Sequence, residues 1–293
     1  MSQALTGGED VPPRSTATAR QQRLGAELRK LRERAGLSTR EAGQKLGVDP
    51  ARISNIESGR FGVSADRVRT FALGYDCTDS VFVDALAEMV SARGRNWWDD
   101  YQGVLPSVLL DLAEMEHHAT SIRTAQFTHL PGLLQTADYA RLIFQQNVPT
   151  LPQPMVEHRV SHRLKRQGVL FRDAPVPFAT IIHEAALRMR FGDPKLMRDQ
   201  LAYIVEMSER PMVDVLVLPF AAGVFPGAGQ TVVFATGPVR QLDTVQLDTE
   251  HGGEFLHAEA QLVKYRTILE RFQALCLDEE ESRAFVRQVI ASL

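Results

Sequence analysis

At 293 residues, with 44% hydrophobic and 24% charged residues, the chain is long enough for two domains and apolar enough to bury a core in each, which excludes a disordered protein. Two cysteines, Cys77 and Cys276, are too few and too isolated for a disulfide framework or a zinc site. The net charge of −3 taken alone argues against a nucleic-acid partner, but it averages two opposite halves. Arg20 to Tyr75 holds 12 Lys and Arg against 6 Asp and Glu, a surplus of +6, and Asp76 to the C-terminus holds 20 against 28, a deficit of −8. A basic block joined to an acidic one is the charge distribution of a DNA-binding domain carried with a domain that does not bind DNA.

The first nineteen residues, Met1 to Ala19, are polar, with two adjacent prolines, and are expected to form a mobile tail. The N-terminus has no apolar signal core, and the longest apolar-rich run, Val213 to Phe225, is interrupted by Asp214 and Pro219 and is too short to span a bilayer. A cytoplasmic protein without a membrane partner is expected.

The first domain is read as residues 20–90. Leu24, Leu28, Leu31 and Ala35 recur at helical spacing until Gly36. Ser38 followed by Glu41 is a capping box that starts a second helix. Gly47 can enter the left-handed region at no steric cost and stops it. Asp49 and Pro50 then supply an N-cap acceptor and a preset first helical residue. Ala42 and Gly43 remove side-chain bulk where these two helices approach, and Leu46, Val48, Ile53 and Ile56 are the apolar residues that pack between them. Ser64 caps a fourth helix with Val68, Phe71 and Ala72 inward, and Val81, Phe82, Ala85, Leu86 and Met89 mark a fifth.

With Ile53 and Ile56 inward, Pro50, Ala51, Arg52, Ser54 and Asn55 are left on the outer face near the start of the third helix, the end that enters the major groove in a helix-turn-helix. Asn55 is suited to the N6/N7 edge of adenine, Ala51 to a thymine methyl, and Arg52 to guanine or phosphate. Thr39, Arg40, Lys45 and Arg60 flank the pair where a duplex backbone would pass and are expected to contact phosphates. Together, the box, the glycine turn, the Asp-Pro cap and the Ile-x-x-Ile pair make the segment from about Leu24 to Gly74 resemble the five-helix, lambda-repressor-like domain of xenobiotic-response-element (XRE) type regulators. That resemblance implies a structural ion pair between Arg32 and Glu57. It also marks two departures, Ala42 and Ser64, both off the base-reading face.

Residues 91–96 are read as a hinge and 97–293 as a regulatory and dimerisation domain. Its elements are expected in the order helix (Pro106 to Thr120), strand (Ser121 to Thr128), helix (Thr136 to Gln146), helix (Met155 to Gly168), strand (Phe178 to His183) and helix (Pro194 to Glu209). Short strands follow at Met212 to Leu218, Thr231 to Ala235 and Thr244 to Asp248, and then two terminal helices with continuous apolar stripes. The predicted class is an all-α first domain followed by an α+β domain with a small antiparallel sheet flanked by helices.

The string LPGLLQTADYA, followed by Arg159 and Arg163, HEAALR, Gln200-Leu201, VDVLVLP, GVFPG and Ser282, resembles one group of actinomycete XRE regulators that carry a C-terminal domain of unknown function. The resemblance runs from about Leu109 to the end. It implies a transcriptional regulator, often accompanied by a small partner protein encoded nearby in an antitoxin-like arrangement.

No catalytic residues, metal or cofactor are expected. His158 and His162 stand four apart beside Glu157, but no third ligand is identifiable and Arg159, Arg163, Lys165 and Arg166 would repel a cation. His183-Glu184 begins like a zincin motif, yet Leu187 stands where its second His belongs. Gly227 to Gly229 neither precedes a helix nor ends in Lys-Ser, so it is no phosphate cradle. Arg159 and Arg163, one helical turn apart, suit a grip on a carboxylate, either that of Glu184 inside the fold or that of an effector; the internal pair is placed first. The sequence therefore points to a homodimeric regulator of double-stranded DNA whose C-terminal domain binds an effector or a small protein, with sequestration of that protein as the alternative main role and a metal-dependent enzyme in that domain as the last alternative.

Overall fold

The computed structural model describes residues 17–91, 95–227, 229–249 and 252–293. The chain divides into two compact units, Met1–Ser91 and Ala92–Leu293. Most of the expected tail, and the core of the expected hinge at 92–94, lie outside the described residues.

The first unit contains α1 (Ala19–Arg34), α2 (Thr39–Leu46), α3 (Pro50–Glu57), α4 (Ala65–Gly74) and α5 (Ser80–Ser91). Helix α1 begins five residues before the first apolar position of its stripe. Thr18 caps it in a box with Gln21, the Gln21 N–H donating to Thr18 Oγ1 at 3.3 Å and the Thr18 N–H to Gln21 Oε1 at 3.1 Å. The last residues assigned to the tail are thus ordered by their own cap. Leu28, Ile53, Val68, Phe71, Ala72 and Leu86 form the buried centre. Val81 points outward, because Phe82 occupies the inward position of α5. Gly25 lets α1 lie against the end of α3: a Cβ there would come within 2.6 Å of the Ile56 carbonyl oxygen.

The second unit holds α6 (Ser107–His118), β1 (Ser121–Gln126), α7 (Ala137–Gln145), α8 (Gln153–Arg166), β2 (Phe178–His183), α9 (Glu184–Arg188), α10 (Pro194–Ser208), β3 (Val213–Leu218), β4 (Val232–Thr236), β5 (Thr244–Thr249), β6 (Gly252–Leu256), α11 (Glu259–Gln273) and α12 (Glu279–Ala291). The sheet is six-stranded and mixed, in the order β3-β2-β1-β4-β5-β6, and not the small antiparallel sheet predicted from the sequence. β1 pairs parallel with β2 and β2 parallel with β3, whereas β4, β5 and β6 continue as antiparallel neighbours. The cause lies in the connections. Helices separate β1 from β2 and β2 from β3, which permits the long crossover that parallel pairing requires, whereas short loops join β4 to β5 and β5 to β6. Strand β6 went unread because Gly252, Gly253 and Glu254 give it little strand character.

Helices cover both faces of the sheet. On one, Ile122, Phe178, Ile182, Val215 and Val217 meet Leu201, Ile204 and Met207 of α10 and Val286 and Val289 of α12. On the other, Ala125, Ile181, Phe234 and Val245 meet Leu262, Leu269 and Phe272 of α11. Both terminal helices therefore spend their apolar stripes on their own sheet, which removes the sequence-based reason for placing a dimer contact there. The β3 edge is closed by the start of α12: the Val217 N–H donates to the buried Ser282 Oγ at 2.9 Å and the Leu277 N–H to the Val217 carbonyl at 2.9 Å.

Candidate nucleic-acid interface and the arginine helix

In the first unit, α2 and α3 are built by local chemistry. The Glu41 N–H donates to Ser38 Oγ at 3.2 Å and the Ser38 N–H to Glu41 Oε2 at 2.8 Å. Gly47 ends α2 at φ 64°. Asp49 Oδ1 accepts from the Ala51 and Arg52 N–H groups at 2.7 and 3.3 Å. A Cβ on Gly43 would stand 2.6 Å from the Val48 carbonyl, so that glycine sets how closely the turn folds back on α2.

Ile53 and Ile56 are buried, while Pro50, Ala51, Arg52 and Ser54 are exposed and Asn55 is half-buried. The Asn55 carbonyl accepts from the Phe61 N–H and from Ser58 Oγ, each at 3.1 Å. Its side-chain amide takes no hydrogen-bond partner among the described residues. Thr39 is half-buried at the start of α2, and Arg40 and Arg60 are exposed. Lys45 holds Asp76 at 3.1 Å in an ion pair exposed on both sides. A pair of that kind contributes about 0–1 kcal/mol, so it offers little resistance to exchange for a phosphate.

Arg32 and Glu57 form a bidentate pair, Nε to Oε1 at 2.6 Å and Nη2 to Oε2 at 2.9 Å, and Arg32 Nη1 also donates to the Leu37 carbonyl at 2.6 Å. The Glu57 hydrogen bond raises the Arg32 pKa above its ordinary value. The neighbouring Tyr75 hydroxyl is buried without a hydrogen-bond partner among the described residues, and burial pushes its pKa up to about 12.

In the second unit, the expected bond from Arg159 and Arg163 to Glu184 is absent. Glu184 instead takes Arg188 Nε at 2.6 Å and the Phe220 N–H at 2.8 Å, tying the ends of β2 and β3 together. An arginine one turn along its own helix reaches it before those of α8 can. Arg163 donates through Nη1 to Gln135 Oε1 at 2.5 Å and lies over Phe144, 4.9 Å from the ring centroid. Arg159 lies over the same ring at 5.8 Å, and its Nε is buried with no hydrogen-bond partner among the described residues.

The third arginine of α8 was not singled out from the sequence. Arg166 is buried in a bidentate bond with Glu116, at 2.7 and 2.6 Å. Its partner stands fifty positions away, so no local spacing announces it. The sequence does not announce the bonding roles of Gln135, Gln167 and Gln200 either. Gln135 Nε2 donates to the Leu130 carbonyl at 2.7 Å, Gln167 Nε2 to the Gln135 carbonyl at 2.6 Å and Gln200 Nε2 to the Leu134 carbonyl at 2.7 Å. The LPGLLQT string is thus a loop pinned by buried amides, and one of them holds Arg163.

The two histidines of α8 occupy different surroundings. His158 is exposed, whereas His162 is buried between Trp97 and Tyr101, with ring centroids 5.3 and 5.2 Å away. Burial, then the charges of Arg166, Arg163 and Lys165, push its pKa down to about 3, which keeps the imidazole neutral. His183 Nδ1 accepts from the Ala185 N–H at 3.2 Å and caps α9. Among the described residues, no group of three His, Cys, Asp or Glu side chains is arranged to hold a metal ion, and no helix is long and apolar enough to cross a membrane.

Residues 23–84 match a family described as a helix-turn-helix domain, and residues 109–288 match a domain of unknown function, DUF5753. No curated protein and no solved structure matches the chain. The chain carries a helix-turn-helix domain at its N-terminus and, through the larger match, belongs to the DUF5753 family.

Proposed function

We propose that the protein is a sequence-specific DNA-binding transcriptional regulator of the XRE type, acting in the cytoplasm as a homodimer and without enzymatic activity. The observation that carries this reading is the outer face of α3, where Pro50, Ala51, Arg52, Ser54 and Asn55 stand clear of a helix anchored from behind by Ile53, Ile56 and the Arg32–Glu57 bond. Such a helix can bring a free amide to base edges without losing its own packing. Thr39, Arg40, Lys45 and Arg60 are assigned to the phosphates, and a dimer would read half-sites about 34 Å apart, or a multiple of that spacing. Fluorescence anisotropy against genomic fragments and random duplexes at moderate salt tests the reading. Preference for particular fragments supports it, and equal affinity for every duplex overturns it.

The second unit is assigned the regulatory role, binding an effector or a small protein. The −8 charge from Asp76 onward favours, as the second reading, an antitoxin-like module whose main task is to hold a basic partner protein. Purification of the native protein from its own cells, followed by intact-mass analysis, separates the two: a stoichiometric small protein supports the second reading and its absence removes it.

A further inference from the structure

Three arginines at successive turns of α8 have different fates. Arg166 is closed by Glu116. Arg159 and Arg163, one turn apart over a single Phe144 ring, have no carboxylate within ion-pair distance among the described residues. Arg163 has one hydrogen-bond partner, the neutral Gln135, and Arg159 Nε has none. Two neighbouring guanidiniums repel each other, and partial burial takes away the water that would screen them.

Burial pushes the Arg163 pKa down to about 9, yet the residue keeps part of its surface open to solvent. Arg163 is half-buried as a residue, beside a helix face whose other arginines are Arg159 and the closed Arg166. The loop beside it is held in place. Gln135 is held by the Leu130 carbonyl, and its own carbonyl is held by Gln167. A Cβ on Gly132 would lie 3.0 Å from Arg163 Nη1, so the loop passes close against the guanidinium there. His129 and Asp248 are exposed, and each is within electrostatic reach of Arg163 without bonding to it.

The chemistry selects the ligand. A planar fork prefers a carboxylate, which can accept two parallel N–H bonds. Asp248 adds a negative charge that penalises a dianion such as phosphate more than a singly charged acid. Phe144 is buried and serves as the platform against which both guanidiniums lie, and the half-buried Phe191, 5.3 Å from the His129 ring, is the apolar side chain beside the loop that an organic body can meet.

We propose that Arg159, Arg163 and Phe144 form the binding site of a small organic monocarboxylate, whose carboxylate takes the place of the acid partner these two arginines lack. The inference rests on the effector-binding role assigned above and names the chemical class of that effector.

The test uses the full chain with benzoate and hexanoate as probes, benzamide and hexanamide as neutral isosteres, and inorganic phosphate, all at matched ionic strength. The thermal midpoint and the arginine 1H–15Nε resonances are followed. A carboxylate should raise the midpoint and move two Nε signals, which disappear in Arg159→Gln and Arg163→Gln, while the amides do nothing. Arg163→Gln should raise the half-saturating concentration about tenfold or more. If Arg163→Gln fails to fold, Arg163→Lys, which keeps the charge and loses the fork, must still weaken the response. Silent Nε signals at millimolar carboxylate overturn the site, as does an equal response to phosphate. Operator affinity is measured in the same samples. Carboxylate binding that leaves it unchanged supports the site and removes the effector role, whereas intact operator preference without carboxylate binding overturns the site and leaves the regulator standing.

Discussion

Arg32 on α1 grips Glu57, the last residue of α3, through two parallel hydrogen bonds of 2.6 and 2.9 Å. The bond crosses the domain from the helix that packs to the helix assigned to read DNA, and both side chains are buried. Removing one partner leaves the other charge buried and unpaired. Arg32→Ala should therefore destabilise the first unit by about 3 kcal/mol, and the Arg32→Ala, Glu57→Ala double variant by less than the sum of the two single changes. Helical circular dichroism during urea denaturation measures this; additive losses would show that the two residues do not act as a pair.

Asn55 and Arg60 should fail differently. Asn55→Ala removes the free amide on the outer face of α3 and should flatten discrimination among operator variants by about 1–3 kcal/mol per contacted base pair. Arg60→Ala should weaken all duplexes alike and lower the salt slope by about one. Lys45→Ala should behave as Arg60→Ala does, since breaking the exposed pair with Asp76 costs little. Anisotropy titrations over a range of salt concentrations separate these effects, and a uniform loss for Asn55→Ala would move the reading face elsewhere.

Glu116→Gln tests the buried counterpart in the second unit. It leaves Arg166, which is 5% exposed, with a neutral partner in place of a charge. The expected loss is about 3 kcal/mol, seen in tryptophan fluorescence, because Trp97 and Trp98 both belong to that unit. Arg188→Ala removes an exposed partner of the buried Glu184, which keeps the Phe220 N–H, and should cost less than Glu116→Gln.

His162 should make the second unit acid-sensitive. In the folded chain its pKa is pushed down to about 3 from an ordinary 6.5. The unfolded chain therefore takes up a proton that the folded chain refuses once the pH falls below 6.5. Stability present above that pH is lost on acidification, at a limiting slope of about 1.4 kcal/mol per pH unit, until the folded value is reached. His162→Phe keeps a ring between Trp97 and Tyr101 and should remove this slope between pH 6.5 and 5. Denaturation midpoints with an identical pH dependence in the two proteins would exclude His162 as the cause.

The helix-turn-helix was legible in the residues because its determinants are local. A capping box spans four positions, a glycine needs only its own φ, and Ile53 and Ile56 lie within one turn of each other. The helices and most strands of the second unit were readable for the same reason, periodicity being a property of a short window. The ion pair between Arg32 and Glu57 came instead from resemblance, since 25 residues separate them.

Tertiary structure decided everything that depends on which segments meet. The parallel pairing of β1, β2 and β3 follows from how helical connections carry the chain back across the sheet, and no residue of those strands encodes it alone. The stripes of α11 and α12, equally compatible with a dimer and with an internal core, are taken by the two faces of one sheet. Spacing put Arg159 and Arg163 on one face of α8 but could not choose their partner. Glu184 was drawn to Arg188 one turn away, Glu116 to Arg166 fifty residues away, and the remaining two arginines were left on Phe144. Charge pairing is decided by three-dimensional proximity and by the cost of desolvation, and both exist only once the chain has folded.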